Sequence, residues 1–149
     1  MGRRIVVTGA TGTVGRRVTA RLMAQGAEVL ALSSRPDAQV PGAPAAQVRQ
    51  ADLRDPAALR RAFDGADALF LLLPLVPDKP ALARTALKAA REAGVRHVLR
   101  LSAVGADAGS DNVFARLQGG IDDAVAASGI PWTLLRPAGF MQNYATYGA

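Results

Sequence analysis

The sequence predicts an α/β protein, a three-layer α/β/α sandwich around a doubly wound parallel sheet with strand order 3-2-1-4-5-6, and three observations carry that expectation. First, Val6-Val7-Thr8-Gly9-Ala10-Thr11-Gly12-Thr13-Val14-Gly15 sets glycines at three-residue spacing between an apolar strand and a helix. Second, Asp67-Ala68-Leu69-Phe70-Leu71-Leu72-Leu73 is an almost continuous apolar run, as a strand buried on both faces requires. Third, short apolar runs alternate with helical patterns of ten to fifteen residues, the rhythm of right-handed βαβ units.

The elements follow in order. Residues 4–7 form a buried strand, and Val14, Val18, Leu22 and Ala24 supply the apolar face of a helix that stops near Gly26. A second strand covers 28–32; the Pro, Gly, Ala and Ser content of 33–44 marks a loop, and 46–51 is a third strand. Asp55 and Pro56 give an N-cap and first-turn proline for a helix over 57–63. The apolar run over 67–73 is the central strand, and the alanine-rich stretch 80–93 is a helix with a glycine stop at Gly94. A strand over 97–102, a helix over 112–128 weakened by Gly119-Gly120, and a sixth strand over 132–136 complete the pattern.

Composition narrows the function. Half of the 149 residues are hydrophobic, enough for one domain over 1–149, and the longest apolar run is too short for a bilayer. Cysteine is absent, which excludes disulfides, thiol catalysis and thiolate metal sites and makes a cytoplasmic location the default. His97 is the only histidine, so neither a histidine metal site nor a Ser-His-Asp triad can be assembled, and no metal is expected. The net charge of +6 comes from arginines scattered over many elements, Arg100 among them, with few aromatics between them. That pattern reads as a solvated surface and not as a nucleic-acid platform.

The glycine loop is a phosphate cradle. Glycine lets the backbone turn tightly and lets a pyrophosphate approach, while the following helix presents free N–H groups and the positive end of its dipole. Ligands of such sheets lie at the carboxyl ends of the strands, which gathers the loop, Ser33 to Arg35, Asp52-Leu53, Leu73-Pro74 and Ser102 around one cleft. An acid that would accept from a ribose 2′-hydroxyl is missing after the second strand, where Ser33-Ser34-Arg35 stands instead. A guanidinium and two hydroxyls suit a 2′-phosphate, so NADP(H) is favoured over NAD(H), unless Arg35 only begins a solvated loop.

The glycine loop, Ala51-Asp52-Leu53, Leu101-Ser102-Ala103-Val104-Gly105-Ala106 and the run from Ser128-Gly129-Ile130-Pro131 through Arg136-Pro137 to Phe140-Met141-Gln142-Asn143 together resemble the NmrA-like branch of the atypical short-chain dehydrogenase/reductases, over essentially the whole chain. That resemblance implies a Rossmann-type NAD(P)-binding domain, and relatives that reduce quinones or azo compounds or sense the dinucleotide without turnover. It places Gly9, Thr11, Gly12 and Val14 on the pyrophosphate, with Thr13 and Gly15 in the same loop. It sets Arg35 on the adenosine phosphate beside Ser33 and Ser34, Asp52 and Leu53 beside adenine, and Leu73, Pro74 and Ser102 toward the nicotinamide. The family pattern also puts Thr133, Arg136 and Asn143 on the cleft rim.

Two departures stand out. No Tyr-x-x-x-Lys pair exists: Lys79 and Lys88 are the only lysines, and Tyr144 and Tyr147 lie near the C-terminus. Where relatives often carry histidine or lysine, this chain reads Arg116-Leu117-Gln118-Gly119-Gly120, and Gln118 donates a hydrogen bond without delivering a proton. The second departure is length, since such relatives continue into a C-terminal substrate lobe; Phe140, Met141, Tyr144 and Tyr147 would then form an apolar patch for a homo-oligomer or protein partner.

Ser102 is the one catalytic candidate, either hydrogen-bonding substrate or nicotinamide or merely capping a turn. His97 reads as structural, Asp107, Asp111, Asp122 and Asp123 as solvated, and Trp132 as core. Three functional readings follow: an NADPH-dependent oxidoreductase acting on a small quinone-like or carbonyl acceptor, a non-catalytic NADP(H)-sensing module, or an inactive truncated reductase.

Overall fold

The structure, a computed structural model, describes residues 2–147, less the side chains of Tyr144, Thr146 and Tyr147. The elements are β1 (Arg4–Val7), α1 (Thr13–Ala24), β2 (Glu28–Ser33), β3 (Gln47–Gln50), α2 (Pro56–Phe63), β4 (Ala68–Leu71), α3 (Lys79–Glu92), β5 (His97–Leu101), α4 (Val113–Ala126), β6 (Trp132–Leu135) and α5 (Met141–Tyr147). The six strands form one all-parallel sheet in the order β3-β2-β1-β4-β5-β6, as the sequence predicts.

Strand alternation divides the core between two faces. Val6, Leu30, Leu32, Leu69, Leu71 and Val98 pack with Leu59, Phe63, Ala86, Ala90 and Val125, so α2, α3 and α4 cover one face. Val7, Val29 and Ala31 point the other way, onto Val18, Ala20, Leu22 and Met23 of α1. Ala24, expected on that apolar face, is exposed because α1 ends there and turns away through Gly26. Beyond β4 that face is thinly covered, and Leu99 and Leu101 are only half-buried.

Local chemistry explains the helix boundaries. Asp55 accepts from the N–H groups of Ala57 and Ala58 at 3.0 Å, with Pro56 in the first turn, and so fixes where α2 begins. Asp55→Ala is expected to lower stability by about 1 kcal/mol, read as a shifted urea midpoint at unchanged slope.

One further expectation is overturned and another is extended. Trp132 is 45% exposed, because β6 is the sheet's edge and no further strand flanks it among the described residues. Gly119 does not merely weaken α4: a Cβ there would lie 2.1 Å from Ala108 N and 2.3 Å from Asp107 C. The loop after β5 therefore crosses α4 at backbone contact, a place only glycine can occupy. Phe140 and Met141 are exposed, whereas the Tyr144 and Tyr147 side chains expected in the same patch lie outside the described residues. Among the described residues no helix is long and apolar enough to cross a membrane.

Candidate functional site

The turn after β1 is tied to β4 by one side chain. Thr8, 1% exposed, donates its hydroxyl hydrogen to Leu72 O at 2.6 Å and accepts from Leu72 N–H at 2.8 Å. That splice holds Gly9 against Leu72, and Gly9 takes the left-handed φ of +61° that turns the chain toward α1. Gly12 N–H then donates to Gly9 O at 3.1 Å, and Gly12 caps α1 with no side-chain acceptor and no acid in the first turn. The leading N–H groups and positive dipole end of α1 are left for an anion. Gly15 meets the same turn from the helix side, since a Cβ there would sit 2.1 Å from Gly9 O.

A cavity of about 690 Å³ opens above this turn at the carboxyl edge of the sheet. Gly9, Thr11, Gly12, Thr13, Val14 and Gly15 line it from the turn, and Ser33, Ser34 and Arg35 from the end of β2. Asp52 and Leu53 join from the end of β3, and Leu73 and Pro74 from the end of β4. Thr8, Leu32, Ala51, Arg54, Leu72, Leu75 and Leu82 belong to the same wall without having been singled out in the sequence. Most of them are neighbours of residues that were, and strand-end adjacency is the signal that finds them.

Charge is unevenly committed around the rim. Asp52 accepts from Arg54 N–H at 2.8 Å, and the Arg54 guanidinium pairs with Asp78 at 2.8 Å. Arg35 enters no ion pair among the described residues; its backbone N–H donates to Ser33 Oγ at 3.1 Å, and it stands exposed at the cavity edge. Both the glycine cradle and this cation are of the chemistry that holds phosphate groups.

Ser102 is not in the cavity wall. It is 5% exposed and donates to Asp122 Oδ2 at 2.8 Å, which opens a buried polar cluster that the sequence reading missed. Asp122 of α4, expected to be solvated, is 3% exposed, and Arg100 of β5, counted with the surface arginines, is 1% exposed. Arg100 pairs with Asp122 and donates to Gln118 Oε1 at 2.6 Å. Arg136 reaches the same carboxylate at 2.9 and 3.0 Å from a half-exposed position.

Lys79, 5% exposed, lies 3.4 Å from Gln118 Oε1, and burial together with the charge of Arg100 lowers its pKa. Burial also lowers that of Arg100, opposed by Asp122. Spacing carried the missing signal: Gln118, Ile121, Asp122 and Val125 recur at helical positions i, i+3, i+4 and i+7, one face of α4, and that face is buried. Asp123 beside it is exposed, as expected. Of the positions the family pattern put on the rim, none lines the cavity; Thr133 Oγ1 instead lies 3.0 Å from His97 Nε2.

Comparison with known proteins gives this site a context. The profile of a family described as NAD(P)H-binding matches residues 9–148. The chain belongs to that family. This NAD(P)H-binding chain is 41% identical over 142 residues to the (4-alkanoyl-5-oxo-2,5-dihydrofuran-3-yl)methyl phosphate reductase of Streptomyces griseus, covering 93% of the chain and 49% of that protein. It is 35% identical over 144 residues to the NAD(P)H azoreductase of Xenophilus azovorans, covering 96% and 50% respectively. The NADPH-dependent quinone oxidoreductase of Escherichia coli, solved in complex with NADPH, superposes with a TM-score of 0.84 at 32% identity, over 95% of this chain and 51% of that one. These findings bear out the quinone-reductase-like resemblance read from the sequence, and the chain spans about half the length of the relatives it matches.

Proposed function

We propose that this chain is the dinucleotide-binding part of an NADPH-dependent oxidoreductase that reduces a small quinone-like or carbonyl acceptor. The observation that carries the reading is the cavity itself: glycine turn, uncapped helix end, strand-end loops and one unpaired arginine converge on a single wall. Gly9, Thr11, Gly12, Thr13, Val14 and Gly15 hold the pyrophosphate, Asp52 and Leu53 border adenine, and Leu73 and Pro74 approach the nicotinamide. Arg35, with the hydroxyls of Ser33 and Ser34, takes the 2′-phosphate. Bound NADPH supplies hydride; the balanced reaction is NADPH, a proton and a quinone giving NADP⁺ and a hydroquinone. Solvent delivers the proton, since no tyrosine-lysine pair is present.

Titrating the protein with NADPH and then offering a quinone panel, with loss of the nicotinamide absorbance as readout, tests this. Tight binding without oxidation of any acceptor would leave a sensing module and defeat the reductase. Arg35→Asp is expected to weaken NADPH about 10- to 100-fold while leaving NADH within a few-fold, the value of a charge-assisted contact to phosphate. Equal losses for both cofactors in a fluorescence titration would remove Arg35 from the phosphate site.

A further inference from the structure

Gln118 sits in the second turn of α4 with its amide held from behind. Its Oε1 accepts from Arg100 Nη2 at 2.6 Å and lies 3.4 Å from Lys79 Nζ, and both cations are buried. Two cationic donors on one oxygen decide which end of the amide faces inward, because turning the nitrogen in would set N–H groups against a guanidinium and an ammonium. The amide nitrogen is directed away from them, and no described residue accepts from it. The enclosed side-chain atoms left without a partner are Thr19 Oγ1 and Arg100 Nε among the described residues. Gln118 Nε2 is not one of them, so the 5% of this residue that remains exposed includes its donor end.

The cluster behind the amide is strongly cationic. Lys79 and Arg100 both reach the Gln118 amide oxygen, and Asp122, paired with Arg100 and Arg136, is the one carboxylate of the cluster among the described residues. Positive charge on the carbonyl end polarises the amide and strengthens its N–H groups as donors. The place is also specific. Lys79 opens α3 between Leu75 and Leu82 in the chain, both of which line the cavity, and its Nζ lies 3.4 Å from the Gln118 amide oxygen, so the amide belongs to the carboxyl edge of the sheet, where the cavity opens.

We propose that Gln118 presents its amide N–H groups to the oxygen of a carbonyl- or quinone-type acceptor at the carboxyl edge, with Lys79 and Arg100 as positioning residues that fix the amide's direction. The proposal rests on the reductase reading above. Reduction of such an acceptor builds negative charge on its oxygen, and a preoriented donor there lowers the barrier without giving up a proton, which comes from water. A neutral donor in place of an acid is what this chain offers.

Gln118→Glu is the decisive variant. It keeps an oxygen for Arg100 and Lys79, so the fold is retained, but replaces the donor nitrogen with a second acceptor. With the protein loaded with NADP⁺, which has no hydride to give, menadione affinity is expected to fall at least about tenfold while NADP⁺ affinity stays within about twofold. With NADPH, kcat/KM for menadione is expected to fall about 100-fold. Lys79→Met, leaving Arg100 alone to orient the amide, is expected to lower kcat/KM by a smaller factor at unchanged NADP⁺ affinity. Wild-type menadione affinity and kcat/KM in Gln118→Glu would overturn the proposal. A wild-type protein that binds NADP⁺ yet neither binds nor reduces menadione would overturn the reductase reading itself, and this proposal with it.

Discussion

Asp122→Ala is expected to destabilise the protein by about 3–5 kcal/mol, the cost of stranding a buried charge whose partner has been removed. Against a total of about 5–15 kcal/mol for a domain, that leaves little margin. Asp122 answers Arg100, Ser102 and Arg136 from β5, from the residue after it, and from the residue after β6, and so binds α4 to the sheet at its carboxyl edge. Without it, Arg100 would keep one described partner, the Gln118 carbonyl, while its Nε has none even now. A guanidinium has no neutral form to retreat to at ordinary pH.

The half-exposed Arg136 differs sharply. Arg136→Ala should cost no more than about 1 kcal/mol, since water takes over its charge and screens the remainder. Replacing the buried pair together, as Asp122→Leu with Arg100→Met, should recover most of the loss of the single variant, because the desolvation of both ions disappears with them. Urea denaturation of the four proteins separates these cases. A single variant within 1 kcal/mol of wild type would mean that the cluster does not hold α4 in place.

How much of this was legible in the sequence follows from where each signal resides. Strand order and the cavity wall were, because both are consequences of local patterning: a glycine turn, a doubly buried strand and alternating elements leave few topologies, and the topology places strand ends together. The polar cluster was not, because each member is unremarkable in its own segment. Asp122 beside Asp123 resembles a solvated face, and Arg100 resembles the outward residue of a strand. Their partners lie 14 to 39 residues away, on other elements. Trp132 failed for the opposite reason: its apolar neighbours imply a core, but β6 is an edge, and edges are set by what pairs next to them. Gly119 was visible as a glycine but not as a contact, since Ala108 comes from the loop that crosses it.

Gly15→Ala is expected to dismantle the glycine turn that we propose holds the cofactor. The added methyl would lie 2.1 Å from Gly9 O, 2.7 Å from Gly9 C and 2.8 Å from Ala10 Cα, all of them backbone, so no flexible side chain can give way. Gly15 has no positive φ, and the penalty is therefore steric and not conformational. Relief requires Gly9 and Ala10 to move, but the neighbouring Thr8 is bonded through its hydroxyl to Leu72 and the Gly9 carbonyl holds the N–H of Gly12. Overpacking of this kind costs about 1–3 kcal/mol, and here the strain falls on the turn proposed to face the pyrophosphate. NADPH affinity should drop by about two orders of magnitude, more than stability alone would suggest, because N–H groups displaced by an ångström no longer converge on the anion. Gly120→Ala is the control: its Cβ would meet nothing within 4 Å, and alanine in a helix interior stabilises by about 0.5–1 kcal/mol over glycine. If both variants bind NADPH like wild type in a fluorescence titration, the close approach of α1 to the turn is not what shapes the site; loss in Gly15→Ala alone places the pyrophosphate there.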